Sequence, residues 1–176
     1  MKYFAYGSNL DKLQMAQRCP GASIVGVAHL PNHRLCFPRR SPVRGCAVAG
    51  FEPFKGGILW GVVYDLEDHH VTRLDEREGY DPVNPSAVNR YCRVDVTVHR
   101  HPDLRESAFA YAAVPEDDPG LPSADYVKHI IDGAIAHSFP DDYIESLRAI
   151  AVMEDADAFV SVDRVRLRIA AMEDGE

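Results

Sequence analysis

Strand-forming runs crowd the first two thirds of this chain and helical patterning fills the last third, and that segregation constrains the fold more than any other feature. Runs rich in Val, Ile and aromatic residues lie at Tyr3 to Tyr6, Ser23 to Leu30, Arg34 to Phe37, Cys46 to Phe51 and Ile58 to Leu66, with Pro, Gly and Arg clusters between them. Two more, Tyr91 to His99 and Ser107 to Val114, read as a hairpin joined through His101-Pro102-Asp103. The helical segments are Leu10 to Arg18, Glu67 to Glu78, Ser123 to Ser138 and Asp141 to Ile150, with Ser8 or Asn9 as cap of the first and Ser123 as N-cap of the third. Acidic residues open the second, and Gly79 is its C′ stop. This order predicts an α+β domain and not a βαβ nucleotide-binding fold.

At 176 residues the chain is sized for one domain, taken as 1–176. The 19 Lys and Arg stand against 27 Asp and Glu, and the resulting charge of −8 repels nucleic acid and anionic lipid. No window reaches the roughly 18–20 apolar residues of a membrane span, and the N-terminal apolar run is too short for a signal peptide. The expectation is a soluble, cytoplasmic protein. Cys19, Cys36, Cys46 and Cys92 form no Cys-x-x-Cys pair and read as small buried hydrophobes.

Glu78 is the most informative position. It lies seven residues after Val71 and four after Leu74, so it continues the apolar stripe of its helix. Burial and the negative end of the helix dipole both favour its protonated form, which suits a group that accepts and returns a proton. The alternative is a terminal Glu curled out to solvent. Asp75, Glu76 and Arg77 read as solvated surface. A second feature is Tyr6-Gly7-Ser8-Asn9-Leu10, a strand end followed by a Gly turn that opens a helix and presents N–H groups suited to a carboxylate. The same pentapeptide also reads as a plain turn.

These two motifs together resemble the γ-glutamylcyclotransferase family: Tyr-Gly-Ser-Asn-Leu after an N-terminal strand, then Leu74-Asp75-Glu76-Arg77-Glu78-Gly79. Trp60-Gly61-Val62-Val63-Tyr64, Tyr91 with Arg93, and Pro122-Ser123-Ala124-Asp125-Tyr126 extend the likeness over Tyr3 to Ile150. The resemblance implies a small mixed β-barrel flanked by helices. It implies Glu78 as catalytic acid and base, the backbone of Gly7, Ser8, Asn9 and Leu10 with Tyr6 at the γ-glutamyl site, and Tyr91, Tyr111 and Tyr126 as its wall. Its activity would be release of 5-oxoproline and an amine from a small γ-glutamyl substrate, with no cofactor or metal, by a monomer or homodimer. The segment from Tyr80 to Asn89 is longer than the family pattern and implies an extra loop near the pocket mouth.

Other readings compete with that one. A non-catalytic module would use the same pocket to bind a glutamyl-like metabolite or a partner. His99 and His101, with Cys92 or Asp95, sketch a metal site, against two exposed histidines. Cys46 as a nucleophile lacks a local signature. Arg34, Arg39, Arg40 and Arg44 form either a solvated loop or a collar for an anionic substrate or partner.

Overall fold

The computed structural model describes residues 1–84, 88–101 and 104–153. The single-domain reading of 1–176 extends at its C-terminal end, 154–176, outside the described residues, as do Pro85 in the loop and Pro102-Asp103 in the hairpin turn.

Five strands close a barrel in the order β1 (Lys2–Ala5), β3 (Cys46–Asp65), β2 (Ser23–Ser41), β4 (Tyr91–His101), β5 (Leu104–Ala113). All pairs are antiparallel except β1 with β5, which run parallel at Tyr3 opposite Phe109, so the barrel is mixed. Closure removes the edges that an open sheet of this size would expose. The expected α+β barrel is therefore the observed one.

The four strand-like runs between 23 and 66 are halves of two long strands. Pro31 and Pro53, read as breaks, are tolerated because the ladder is already irregular there: the register shifts between Pro31 and His33, and Asn32 takes φ 56°. The β2–β3 ribbon thereby runs to a tip at residues 42–45.

The barrel core includes Phe4, Leu59, Val62, Val63, Val98 and Ala110, all buried. Phe4 alone, fully enclosed, contributes about 1.5–3 kcal/mol by burial. Val62, Val63 and Tyr64 are buried in succession, which means that β3 is covered on both faces. No helix among the described residues is long and apolar enough to cross a membrane.

Four helices pack outside. The segment after β1 is a 3-10 turn at Ser8–Leu10 followed by α1 (Lys12–Arg18). The cap of α1 is neither Ser8 nor Asn9 but Asp11, whose Oδ1 accepts from Gln14 N at 2.6 Å. Asn9 is thus released from capping and turns inward. α2 (Asp68–Glu78) starts where Glu67 N–H donates to His70 Nδ1 at 3.2 Å, and it ends at Gly79 in the left-handed region, φ 65°, ψ 45°. His70 Nε2 lies 2.9 Å from the Pro20 carbonyl, so that nitrogen carries the proton. α3 (Ala124–Ala136) is capped as expected, with Ser123 Oγ accepting from Tyr126 N at 3.2 Å. It buries Tyr126, Val127, Ile130 and Ala134, and α4 (Asp141–Arg148) buries Ile144 and Leu147.

Candidate active site

A cleft opens where β1 ends, between the 3-10 turn, the last turn of α2 and the start of α3. Tyr6, Gly7, Ser8 and Asn9 form one side, Glu78 another, and Tyr91, Tyr111 and Tyr126 the rest, joined by Tyr3 and Ala49. Residues spread from 3 to 126 in the sequence meet here because β1 lies between β3 and β5 in the closed barrel.

Gly7 is held by proximity: a Cβ at this position would sit 3.0 Å from Ala49 Cβ and 3.9 Å from the Tyr126 hydroxyl. Leu10 is brought to the loop but not to the cleft. Its N–H donates to the Gly7 carbonyl at 3.0 Å, its own carbonyl faces His137 Nε2 at 2.9 Å, and its side chain is buried in the core. It therefore has no N–H to offer a ligand, which departs from the role implied by the resemblance.

The Glu78 side chain is 16% exposed, and its carboxyl lies 3.3 Å, Oε1 to Nη1, from Arg18. Arg18 Nη1 also donates to Asn9 Oδ1 at 2.8 Å, Gln14 Nε2 donates there at 2.9 Å, and Asn9 Nδ2 donates to the Tyr3 hydroxyl at 2.8 Å. Burial pushes the Glu78 carboxyl above its ordinary value. Arg18 and the Asn9 amide, then Arg90 and Arg44, pull against burial without cancelling it.

The phenols behave differently. Burial raises Tyr3, Tyr6, Tyr91, Tyr111 and Tyr126, with neighbouring negative charge adding to it, so all stay protonated near neutrality. Three of these hydroxyls spend their proton on protein: Tyr6 on the Tyr111 carbonyl, Tyr91 on the Ala49 carbonyl at 2.9 Å, and Tyr111 on Asp75 Oδ1 at 2.7 Å. Tyr126 instead accepts from Ala49 N at 3.1 Å, and Tyr3 accepts from Asn9, so both retain a proton to donate. Among the described residues lining the cleft, Glu78 is the one carboxyl, and burial holds its pKa above the ordinary value.

Asp75 corrects the reading of its face as solvated. It is 7% exposed and accepts from Tyr111 and, at 3.4 Å, from Arg93 Nη1, which stacks over Tyr80 and Phe109. The signal was present: Val71, Leu74, Asp75 and Glu78 follow the i, i+3, i+4, i+7 pattern of one helix face. Tyr3 and Arg18 also went unnoticed in the sequence, and nothing local marks them.

The other candidates lie apart. His99 sits against His29, ring centroids 5.3 Å apart, and among the described residues no three His, Cys, Asp or Glu side chains gather as a metal would require. Cys46 is buried at the start of β3, and burial pushes the Cys36 thiol up to about 11. Arg34 is exposed and paired with Glu52 at 2.6 Å, away from the cleft that Arg39, Arg40 and Arg44 approach. The loop after α2 is pinned at its ends by Asp81 N donating to Asn89 Oδ1 at 2.9 Å, and Arg90 beyond it reaches back to the Arg77 carbonyl at 3.2 Å.

The model of the AIG2-like family matches residues 58–147, from the second half of β3 into α4. Gamma-glutamylcyclotransferase of Homo sapiens is 30% identical over 152 residues, spanning 84% of this chain and 77% of the relative. The same enzyme of Mus musculus is 30% identical over 155 residues, with the same coverage. A solved structure of gamma-glutamyl cyclotransferase superimposes with TM-score 0.76 at 27% identity, covering 94% of this chain and 98% of that one. The chain belongs to the γ-glutamylcyclotransferase family.

Proposed function

We propose that this protein releases 5-oxoproline and a free amine from a γ-glutamyl compound by intramolecular aminolysis. The observation that carries the reading is Glu78: a buried carboxyl with a raised pKa, in a cleft whose other titratable groups are locked as phenols.

The substrate's α-nitrogen attacks its own γ-carbonyl carbon. A carbon–nitrogen bond forms to close the five-membered lactam, and the bond from that carbon to the departing nitrogen breaks. Glu78 takes a proton from the α-ammonium and delivers one to the departing nitrogen, and the second proton shed by the ring nitrogen on closure leaves with the amine as its ammonium. Its raised pKa makes it a stronger base than an ordinary carboxylate and a competent acid afterwards. Tyrosine ring faces favour an ammonium group beside Glu78 before the proton moves. The first N–H groups of a helical turn lack partners within it. Those of Gly7, Ser8 and Asn9 are accordingly the donors for the α-carboxylate or the developing oxyanion, with the Tyr126 hydroxyl close by. Nucleophile and electrophile share one molecule, so holding the γ-glutamyl chain folded supplies much of the rate.

The test is incubation with a panel of γ-glutamyl amino acids and amines while 5-oxoproline is followed by mass. Release that depends on Glu78 supports the reading. Binding without release would instead mark a non-catalytic module.

A further inference from the structure

The cleft that holds Glu78 adjoins a larger outer chamber. Glu78, Ser8, Tyr91 and Tyr126 line both spaces. On the reading proposed above, which this inference rests on, the glutamyl half fills the inner cleft. The breaking bond sits at Glu78, and the leaving group projects into the chamber.

The chamber's wall carries Arg18, Arg39, Arg40, Arg44, Arg77 and Arg90 in a chain whose net charge is −8. Two of these are already matched by acid: Arg18 pairs with Glu78 and Arg39 with Glu116 at 2.9 Å. The other four have no ion-pair partner among the described residues. Arg40 Nη2 donates to the Gly45 carbonyl at 2.6 Å, and Arg44 lies 4.8 Å over the Tyr126 ring with Nη2 3.3 Å from Gln14 Oε1. Arg90 reaches the Arg77 carbonyl, where cations complement the end of α2. Arg44 and Arg90 are also near enough to Glu78 to lower its pKa.

Four guanidinium groups without carboxylate partners among the described residues, around one concave space in an acidic protein, exceed what a single carboxylate on the leaving group would engage. We propose that the chamber selects γ-glutamyl substrates whose leaving amine carries more than one carboxylate, as in an acidic amino acid or short acidic peptide. Arg40, at the end of β2, and Arg44, in the tip that follows, determine that selectivity.

The test compares γ-glutamyl-glutamate with γ-glutamyl-glutamine, a pair alike in shape that differs by one charge on the leaving group. Affinity is measured by calorimetry on the Glu78→Gln protein, and 5-oxoproline release is measured on wild type. The acidic compound is expected to be favoured by about tenfold in both at low salt, with the advantage shrinking at about 1 M salt. In folded Arg40→Gln the ratio falls toward one, and in folded Arg44→Glu it reverses. The wild-type ratio stands as a test even if a variant fails to fold. A low-salt ratio within about twofold of one, or no binding of either compound, overturns the proposed selectivity. Absence of 5-oxoproline from both compounds, with the preference intact in calorimetry, overturns the lactam-forming reading and leaves the chamber's charge selectivity standing.

Discussion

The Tyr111 hydroxyl donates to Asp75 Oδ1 at 2.7 Å, so a cleft tyrosine on β5 is fixed by a carboxylate one helical turn before Glu78. The same carboxylate faces Arg93 of β4, and this cluster ties α2 to the barrel wall. Removing Asp75 leaves a buried hydroxyl and a half-buried guanidinium without their acceptor. Asp75→Ala is expected to cost about 1–3 kcal/mol, a fall in Tm of about 2–4 °C per kcal/mol. Asp75→Asn, which keeps an acceptor for Tyr111, should cost less. Denaturant titration of both variants checks this, and an Ala variant as stable as wild type would remove Asp75 from any positioning role.

Glu78→Gln keeps shape and loses the transferable proton. 5-Oxoproline release should fall by about 10²–10⁴-fold in a folded protein. Because burial raises the carboxyl's pKa, the wild-type rate should decline toward acid with a midpoint above the ordinary Glu value of 4.5. The residual rate of the variant should lack that limb. Near-normal release by folded Glu78→Gln would sink the assignment.

The same shift has a stability consequence. The folded-state pKa of Glu78 exceeds its unfolded value, so the folded protein binds more protons between the two. The associated stability is fully present below the unfolded pKa and is lost as pH rises through the folded one. Glu78→Gln has no such titration. Its unfolding free energy should therefore gain on wild type as pH rises above the ordinary Glu value of 4.5, measured by urea titrations at a series of pH values. A difference that stays flat with pH would mean that Glu78 is not perturbed by burial.

Tyr126→Phe removes the acceptor for Ala49 N–H and the hydroxyl that retains a proton for the cleft. A stability loss of about 1–3 kcal/mol is expected, together with a fall in kcat/KM smaller than that of Glu78→Gln. Steady-state kinetics beside thermal unfolding separate the two effects. A variant equal to wild type in both would reassign Tyr126 to packing alone.

Gly7→Ala would place a Cβ 3.0 Å from Ala49 Cβ, and the turn must yield by a few tenths of an ångström. Displacing donors aimed at substrate costs rate steeply, so turnover should drop by about tenfold while the fold persists. Turnover unchanged in Gly7→Ala would show that the loop backbone does not position the reacting groups.

Local pattern marked Glu78 by an apolar stripe at helical spacing and the Gly7 loop by a strand end meeting a turn, each with a plain structural alternative, and their pairing in one family resemblance singled them out. The helix ends at Gly79 and Ser123 were equally local. The strand runs fixed the class, although they concealed that β2 and β3 each continue through a proline, since a bulge is a property of the pair and not of one strand. Other features were decided only by the tertiary structure. Tyr3 and Ala49 join the cleft, Arg18 reaches Glu78 from outside it, and Leu10 leaves the cleft, because barrel closure sets β1 between β3 and β5 and a hydrogen bond to Gly7 consumes the Leu10 N–H. Arg40 and Arg44 reach the chamber while Arg34 does not, although all belong to one basic stretch. A strand advances about 3.3 Å per residue, so neighbours in sequence part within a few positions, and ribbon curvature and closure choose which of them meet.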